Sequence, residues 1–213
     1  MKERIVLLGA PATGKGTQTE LMVAEFGLPT ASTGAMIRNE LAQGTELGKS
    51  ASEWTRQGKL FPNEIALQIV WSWLGEGNRF ILDGFPRTLE QAEAFDQGLI
   101  ERNLPLDRVY FLDLPDEIIF ERVLGRSVCK KCQSVFNKTL HDIDELSPCP
   151  ACGGSLERRT DDTPQTLARR LEEYRALTYP VVEHYRSQGV LLAIDAIIGR
   201  DRIYEIIRND ICE

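Results

Sequence analysis

The sequence predicts an α/β fold in which a parallel sheet is flanked by helices on both faces. Continuous apolar runs rich in branched and aromatic residues are typical of strands that are buried on both faces. Such runs lie at residues 5–8, 80–82, 109–112 and 190–194. Helical patterns separate them, and this alternation is typical of a doubly wound core.

The predicted helices fill the gaps between the apolar runs. They cover residues 15–26, 63–74, 89–102 and 117–124, and a longer one begins near Pro164. Thr163 suits the N-cap of the long helix, and Pro164 suits its first turn. Large side chains recur along it at spacings of four and three residues, which predicts a buried stripe: Leu167, Leu171, Tyr174, Thr178 and Val181.

Two segments interrupt the alternation. Residues 32–61 are polar and helical with no strand of their own, and residues 125–162 are rich in turns and contain four cysteines. Neither segment has enough large apolar residues to form a core alone. We therefore predict a core of residues 1–31, 62–124 and 163–213, with two insertions at strand ends, where ligands bind in such sheets.

Composition and charge exclude several classes of protein. The chain is 42% hydrophobic and 27% charged, which is ordinary for a globular protein, and no apolar run is long enough to cross a membrane. The N-terminus lacks the pattern of a secretion signal, so we expect a cytoplasmic protein with no membrane partner. The net charge of −7 opposes general binding to nucleic acid.

Residues 9–17 form a glycine-rich loop between the first strand and the first helix, with the sequence Gly-Ala-Pro-Ala-Thr-Gly-Lys-Gly-Thr. Main-chain N–H groups from Gly14 to Thr17 can face phosphates at the helix N-terminus, and Lys15 can reach the β and γ oxygens. This pattern predicts binding of a nucleoside triphosphate. Because Gly16 replaces the hydroxyl that usually follows the lysine, we expect water and Asp83 to hold Mg²⁺.

Two further motifs make a family resemblance specific. They are Asp83-Gly84-Phe85-Pro86-Arg87-Thr88, and Ser32-Thr33-Gly34 followed by Arg38. With the phosphate loop, they give a chain that resembles adenylate kinases over residues 5–198. The resemblance implies a monomeric enzyme that transfers phosphate from Mg-ATP to AMP and yields two ADP. It also implies an AMP-binding insertion at residues 32–61 and a hinged, zinc-binding lid at residues 125–162.

The resemblance assigns the acceptor side of the site. It implies that Arg38 and Arg87 bind the AMP phosphate, and that Thr33 and Gln91 contact the adenine. Guanidinium groups suit this work because they stay charged and bind phosphate through two nitrogens. No general base is required, because a phosphate monoester is mostly dianionic at neutral pH.

The resemblance also assigns the donor side and the lid. It implies that Arg122 stacks on the ATP base, and that Lys15 and Arg126 bind the ATP phosphates. It further implies that three arginines converge on the transferring phosphoryl group and act as catalysts together with Lys15 and Arg87. These three are Arg126, Arg159 and Arg170. The last two are implied to serve the AMP side as well. An acidic pair near the lid hinge orients these arginines: Asp161 and Asp162.

The cysteines have the spacing of a zinc site. Cys129 and Cys132 form one close pair, Cys149 and Cys152 form a second, and sixteen residues separate the pairs. Four thiolates leave no open coordination position, so the zinc is expected to be structural. Such a ribbon could instead bind nucleic acid, but residues 125–162 contain six cations and six anions, which gives no basic surface.

Two positions depart from the family pattern. Ala12 stands where the loop usually has glycine, and Ala35 stands where aspartate usually follows Thr-Gly. We expect both changes to weaken binding of Mg-nucleotide. Two alternatives therefore stay open at this point: a kinase for another nucleoside monophosphate or for GTP, and a nucleotide-binding relative that no longer turns over.

Overall fold

The computed structural model contains two sheets and describes residues 1–45, 62–138, 143 and 147–213. The strands are β1 (Arg4–Leu8), β2 (Thr30–Ser32), β3 (Phe80–Asp83), β4 (Arg108–Asp113), β5 (Arg126–Cys129), β6 (Val135–Asn137), β7 (Leu156–Glu157) and β8 (Leu191–Asp195). The larger sheet is parallel, with the order β2-β3-β1-β4-β8, and the smaller is antiparallel, with the order β6-β5-β7.

Helices lie between the strands of the larger sheet. They are α1 (Lys15–Phe26), α2 (Thr33–Ala42), α3 (Asn63–Leu74), α4 (Leu89–Glu101), α5 (Asp116–Leu124), α6 (Pro164–Glu173), α7 (Tyr179–Ser187) and α8 (Arg200–Cys212). A π-helical turn, Tyr174–Thr178, joins α6 to α7, and a 3-10 turn, Ala196–Ile198, precedes α8. The α/β fold class is therefore confirmed.

The larger sheet is buried on both faces, as the continuous apolar runs predict. In β1, Ile5 and Leu7 belong to one hydrophobic cluster, whereas Val6 and Leu8 belong to the other, and each is at most 1% exposed. Helices α1, α5, α6 and α8 contribute buried residues to the first cluster, and α3, α4 and α7 contribute to the second. Successive residues of one strand thus support two helical layers.

The predicted strands and helices match the structure to within a residue or two at their ends, but two elements that pack on the larger sheet were missed. Strand β2 has three residues, which is too short to give a pattern, and Ser32 at its end pairs with Asp83 of β3. Helix α8 lies beyond the last predicted strand, and three buried isoleucines attach it to the core: Ile203, Ile207 and Ile211.

The long helix predicted from Pro164 is confirmed, but it contains an irregular turn. The Thr163 hydroxyl accepts a hydrogen bond from the main-chain N–H of Thr166 at 3.1 Å, so Thr163 is the N-cap. The π-helical turn then separates α6 from α7, where sequence periodicity predicts one uninterrupted helix. A π turn adds a residue to one helical turn, which the spacing of large side chains does not reveal.

The cysteine-containing segment also differs from its prediction as a run of turns. Residues 126–129 form β5, which pairs antiparallel with β6 and with β7. These three strands contain only four, three and two residues, so no alternation of polar and apolar side chains marks them in the sequence.

Within the described part of the chain, no helix combines the length and the hydropathy that crossing a membrane would require.

Candidate active site

The carboxyl ends of three neighbouring strands bring the predicted site residues together. Strand β1 leads into the glycine-rich loop, β3 ends at Asp83, and β2 leads into Thr33 at the start of α2. In the sheet Leu7 is level with Asp83, and Asp83 is level with Ser32. Parallel strands place these ends at one edge, which is where ligands bind in open α/β sheets.

Two glycines give the loop its shape. At Gly9, where φ is +148°, a Cβ atom would lie 2.6 Å from the carbonyl oxygen of Leu112, so no other residue fits. Gly14 has φ +101° and caps α1 without a side chain. The loop therefore passes close to β4 and then turns directly into the N-terminus of α1. That N-terminus carries the positive end of the helix dipole, which favours phosphate.

The Lys15 ammonium lies beside the carbonyls of its own loop. Its Nζ donates to the oxygens of Gly9 at 2.9 Å and of Ala10 at 2.8 Å. The pKa of Lys15 is lowered to about 8, chiefly because the ammonium is buried; the Asp83 carboxylate opposes this shift, and repulsion from the Arg87 and Arg126 guanidinium groups adds to it. Four predicted site residues are therefore close enough to interact electrostatically.

Asp83 lies next to the position that lacks the usual hydroxyl. A Cβ atom added to Gly16 would lie 4.0 Å from Asp83 Oδ2, an ordinary contact distance. The carboxylate therefore faces the loop at the point where a hydroxyl from residue 16 would bind a metal ion in related loops. An oxygen donor of this kind suits Mg²⁺, which keeps several waters and takes one or two carboxylates.

Ala12, which stands where related loops have glycine, has the positive φ that glycine adopts more easily. Its φ is +60°, in the left-handed region that costs an L-residue with a Cβ about 1–2 kcal/mol. Its methyl group packs against the first hydrophobic cluster, and its carbonyl oxygen lies 3.4 Å from Nη1 of Arg122. Burial lowers the pKa of Arg122, with Glu121 partly opposing this. Arg122 is thus beside the phosphate loop, where its role on the ATP base stays a prediction.

The loop that carries Arg87 is built on hydrogen bonds to main-chain atoms. Arg87 Nε donates to the carbonyl oxygen of Gly84 at 2.7 Å, and the Thr33 hydroxyl donates to the same oxygen at 3.0 Å. The buried Gln91 side chain accepts from the main-chain N–H of Arg87 at 2.8 Å. The structure thus brings Thr33, Arg87 and Gln91 together, while the adenine contacts of Thr33 and Gln91 stay predictions.

The acidic pair forms ion pairs with two of the arginines that the resemblance assigns to the site. Arg126 donates through Nε and Nη2 to the two carboxylate oxygens of Asp162, whose side chain is 2% exposed. Arg170 donates to Asp161 and lies 3.8 Å from Asp162. Burial acts to raise the pKa of Asp161, but the charge and hydrogen bond of Arg170, a main-chain hydrogen bond and the charge of Arg159 together hold the pKa below its usual range. Paired carboxylates of this kind fix the direction in which each guanidinium points.

Not all the predicted residues are equally described. Arg159 is half-buried and near enough to Asp161 to lower its pKa slightly. Thr17 is exposed in the first turn of α1. Arg38 belongs to α2, but its side chain lies outside the described residues. At Ala35 the main-chain N–H approaches the Ser32 hydroxyl at 3.4 Å, at the start of α2.

The four predicted cysteines gather in the lid as two similar turns. Cys129 accepts hydrogen bonds at its sulfur from the main-chain N–H groups of Lys131 and Cys132. Gln133 and Gly153 each lie four positions after the first cysteine of their turn, and their main-chain N–H groups donate to the carbonyl oxygens of Cys129 and Cys149. Both residues have a left-handed backbone, with φ +61° and +70°. Cys212 is an exposed thiol on α8 and takes no part in the cluster.

The distances between these sulfurs suit a tetrahedral ion. All four Sγ atoms lie within 4.8 Å of one another, with Cys129 to Cys152 at 3.5 Å and Cys132 to Cys149 at 3.6 Å. A zinc ion with Zn–S bonds of about 2.3 Å places its sulfurs about 3.8 Å apart. A Cβ atom on Gly154 would lie 3.0 Å from the Cys129 sulfur, so the main chain at Gly154 packs closely against this side of the cluster.

Two residues near the site were not assigned a role from the sequence. Asn63 contacts Gln91, and Thr178 contacts the main chain of Arg87. The sequence places Thr178 in the buried stripe of the long helix and gives it no other role. A polar threonine among the large apolar residues of that stripe is the signal that could have indicated a specific hydrogen bond. Asn63 carries no such signal, because a polar residue at the start of a helix is ordinary.

Together the fold and the site define a class of protein. A glycine-rich phosphate loop follows the central strand of a parallel sheet, and a lysine, two arginines and an aspartate meet beside it. Nucleotide phosphotransferases of the phosphate-loop type have this arrangement, because phosphoryl transfer depends on positioned cations.

Comparison with known proteins gives the family within this class. The adenylate kinase family model matches residues 7–190. An adenylate kinase of Alkaliphilus oremlandii is 41% identical over 209 residues, which cover 97% of this chain and 95% of the relative. Adenylate kinases of Caldicellulosiruptor saccharolyticus (41% identity, 94% of this chain and 93% of the relative) and Methanosarcina barkeri (38%, 96% of each) are also similar. The chain belongs to the adenylate kinase family and is a phosphotransferase.

The left-handed backbone at Ala12 yields a prediction about stability. Ala12→Gly should relieve backbone strain, whereas Ala10→Gly, in the same loop but without a positive φ, should not. Both changes make the unfolded chain more flexible, so this cost cancels in the comparison. We expect the free energy of unfolding of Ala12→Gly to exceed that of Ala10→Gly by about 1–2 kcal/mol in urea denaturation. Equal values for the two variants would contradict the strain.

The lowered pKa of Lys15 yields a prediction about pH. Because the free enzyme loses this charge near pH 8, ATP binding at higher pH requires proton uptake, and kcat/KM for Mg-ATP should fall about tenfold per pH unit. Bound phosphates favour the ammonium, so kcat should stay level to higher pH. In Lys15→Arg, whose side chain stays charged, activity should be lower and the alkaline fall absent. A fall that persists in Lys15→Arg would assign it to another group.

Proposed function

We propose that this phosphotransferase moves the γ-phosphoryl group of Mg-ATP to AMP with Lys15, Arg87, Arg126, Arg159 and Arg170 as its catalytic residues. The observation that carries this assignment is the meeting of Lys15, Arg87 and Arg126 beside the phosphate loop. An oxygen of the dianionic AMP phosphate attacks the γ phosphorus and forms a new P–O bond, while the bond from the γ phosphorus to the β–γ bridging oxygen breaks, so that AMP becomes one ADP and ATP leaves as the other. The charge that spreads over the transferring oxygens is stabilised by these cations.

The donor and acceptor sides use different parts of the site. On the donor side, main-chain N–H groups of Gly14, Gly16 and Thr17 bind the ATP phosphates with Lys15 and Arg126, and Arg122 stacks on the base. On the acceptor side, Arg87 and Arg38 bind the AMP phosphate, assisted by Arg159 and Arg170. Thr33 and Gln91 select adenine, which is supported by their position around the Arg87 loop.

The two insertions enclose the substrates in this proposal. Residues 32–61 form the AMP-binding insertion, residues 125–162 form the lid, and Asp161 and Asp162 lie at its hinge. The ion pairs from these carboxylates to Arg170 and Arg126 support that role, because they attach the end of the lid to the site. Closure of the lid excludes water, which would otherwise accept the phosphoryl group.

Metal ions have two separate roles in the proposal. Asp83 holds Mg²⁺ through water, which is supported by its position opposite Gly16. When bound, Mg²⁺ neutralises charge on the β and γ phosphates. The four lid cysteines hold a structural Zn²⁺, which stabilises a segment that is too small to form a core.

The enzyme works as a cytoplasmic monomer in this proposal. Ala12 and Ala35 leave it active but with weaker affinity for Mg-nucleotide than relatives that have glycine and aspartate there.

A coupled assay tests the reaction itself. With Mg-ATP as donor, ADP formation should be fastest with AMP, and GMP, CMP and UMP should give kcat/KM values at least about 100-fold lower, because they leave polar groups of the site unpaired. Replacing ATP by GTP should lower the rate with AMP. A preference for another monophosphate would contradict the assignment of Thr33 and Gln91. Binding without any turnover would contradict the function.

Metal analysis tests the lid. The purified chain should contain about one zinc per chain, and chelation should lower Tm by about 5–10 °C because the lid loses its cross-link. Cys132→Ser should lose the metal. Cys212→Ser is the matched control, since both thiols are exposed but only Cys132 belongs to the cluster, and it should keep full zinc content. Full zinc content in Cys132→Ser would refute the four-cysteine site.

A further inference from the structure

We propose that Asn63 and Thr178 are positioning residues for the acceptor phosphate, and that they act by holding the main chain of Arg87 from its two sides. The inference rests on the proposed function, in which Arg87 binds the phosphate of AMP. Neither residue contacts a substrate in this account.

The first hold is on the N–H group of Arg87. This group donates to Gln91 Oε1 at 2.8 Å, and Gln91 Nε2 donates in turn to Asn63 Oδ1 at 2.9 Å. Gln91 is 2% exposed, so its amide has little water to replace a lost partner. Asn63 therefore fixes the amide plane that holds Arg87.

The orientation of the Asn63 amide is itself determined by its neighbours. Its Oδ1 also accepts from the Thr88 hydroxyl at 3.0 Å, and its Nδ2 donates to the carboxylate of Glu90. Because a carboxylate can only accept, the nitrogen must face Glu90 and the oxygen must face Gln91 and Thr88. A single side chain at the start of α3 thus receives two hydrogen bonds from the segment that carries Arg87.

The second hold is on the carbonyl group of Arg87. The hydroxyl of Thr178, which is 6% exposed, donates to this oxygen at 2.9 Å. A threonine within a helix often donates to a carbonyl one turn back in the same helix. Thr178 instead bonds to a residue 91 positions earlier in the chain, from the last position of the π-helical turn. Such turns are frequent at functional sites.

The hydrogen bonds to the N–H and carbonyl groups of Arg87 matter because the Arg87 loop has no regular secondary structure of its own. It lies between the end of β3 and the start of α4, and Arg87 Nε is directed by the carbonyl of Gly84 within the same loop. A guanidinium binds phosphate well only when its two nitrogens face two oxygens. A displacement of about 1 Å at such a contact can lower the rate by about 100-fold.

The two side chains that support the Arg87 main chain belong to helical segments that follow the two insertions. Asn63 begins α3, just after residues 32–61, and Thr178 ends the π turn of the helical run that starts after residues 125–162. Arg170 lies on the same run, eight residues before Thr178, and is paired with Asp161. One helical run therefore sets the distance between the arginine of the acceptor phosphate and an arginine of the transferring group.

Steady-state kinetics on two substitutions test the proposal. Thr178→Val keeps the shape of the side chain and removes the donor, and Asn63→Ala removes the acceptor. Each should raise KM for AMP by about tenfold, the size of one lost buried hydrogen bond, and change KM for Mg-ATP less than about twofold. Thr178→Ser, which restores a hydroxyl, should return KM for AMP to near the original value.

Ser187→Ala is the matched control, because Ser187 lies on α7 and donates its hydroxyl to the carbonyl of His184 away from the Arg87 loop. It should leave both KM values unchanged. Assays are run well below the Tm of each variant so that the protein is folded, and any remaining loss of folded protein lowers the apparent kcat without changing either KM.

Arg87→Lys separates this inference from the proposed function. If Arg87→Lys leaves KM for AMP unchanged, the assignment of Arg87 fails. If Arg87→Lys raises KM for AMP but Thr178→Val and Asn63→Ala do not, the positioning role is wrong while the proposed function stands. Equal increases in both KM values would also overturn the positioning role, since they would indicate a general structural defect.

Discussion

The crowding of positive charge beside the phosphate loop is the constraint on which the rest of this structure depends. Lys15, Arg87 and Arg126 are close enough that burial and mutual repulsion lower the pKa of Lys15 to about 8. Carboxylates placed among the cations offset part of this repulsion. Asp83 acts on Lys15, and Asp162 binds Arg126 through two nitrogens. Phosphates entering the site would meet cations that are already gathered and oriented, which is what phosphoryl transfer requires.

The phosphate loop requires backbone conformations that most residues disfavour. Gly9 passes so close to Leu112 that a side chain has no room, whereas Ala12 keeps a Cβ in a left-handed conformation. The methyl group of Ala12 packs on the core, so a functional loop and the hydrophobic cluster share one residue. Local strain of this kind is maintained by the surrounding structure and is common at functional sites.

The lid is too small to be stabilised by a hydrophobic core of its own. Its three strands have at most four residues each, which is too few to form a hydrophobic core. Two matched turns instead bring four sulfurs within 4.8 Å of one another, a spacing at which a metal ion can take the place of a core. The segment then returns to the site through Asp161 and Asp162, whose ion pairs fix two arginines where the lid meets α6.

The sequence alone determined the structural elements and functional motifs that depend on short, local residue patterns. Apolar runs marked the buried strands, the glycines and Lys15 marked the phosphate loop, and the cysteine spacing marked the cluster, because each signal lies within a short stretch of chain. Only the tertiary structure decided which distant groups meet. The π turn that places Thr178 on the Arg87 carbonyl and the amide pairing of Asn63 with Gln91 leave no periodic trace in the sequence. They arise from the packing of whole helices against the sheet, which fixes contacts between residues far apart in the chain.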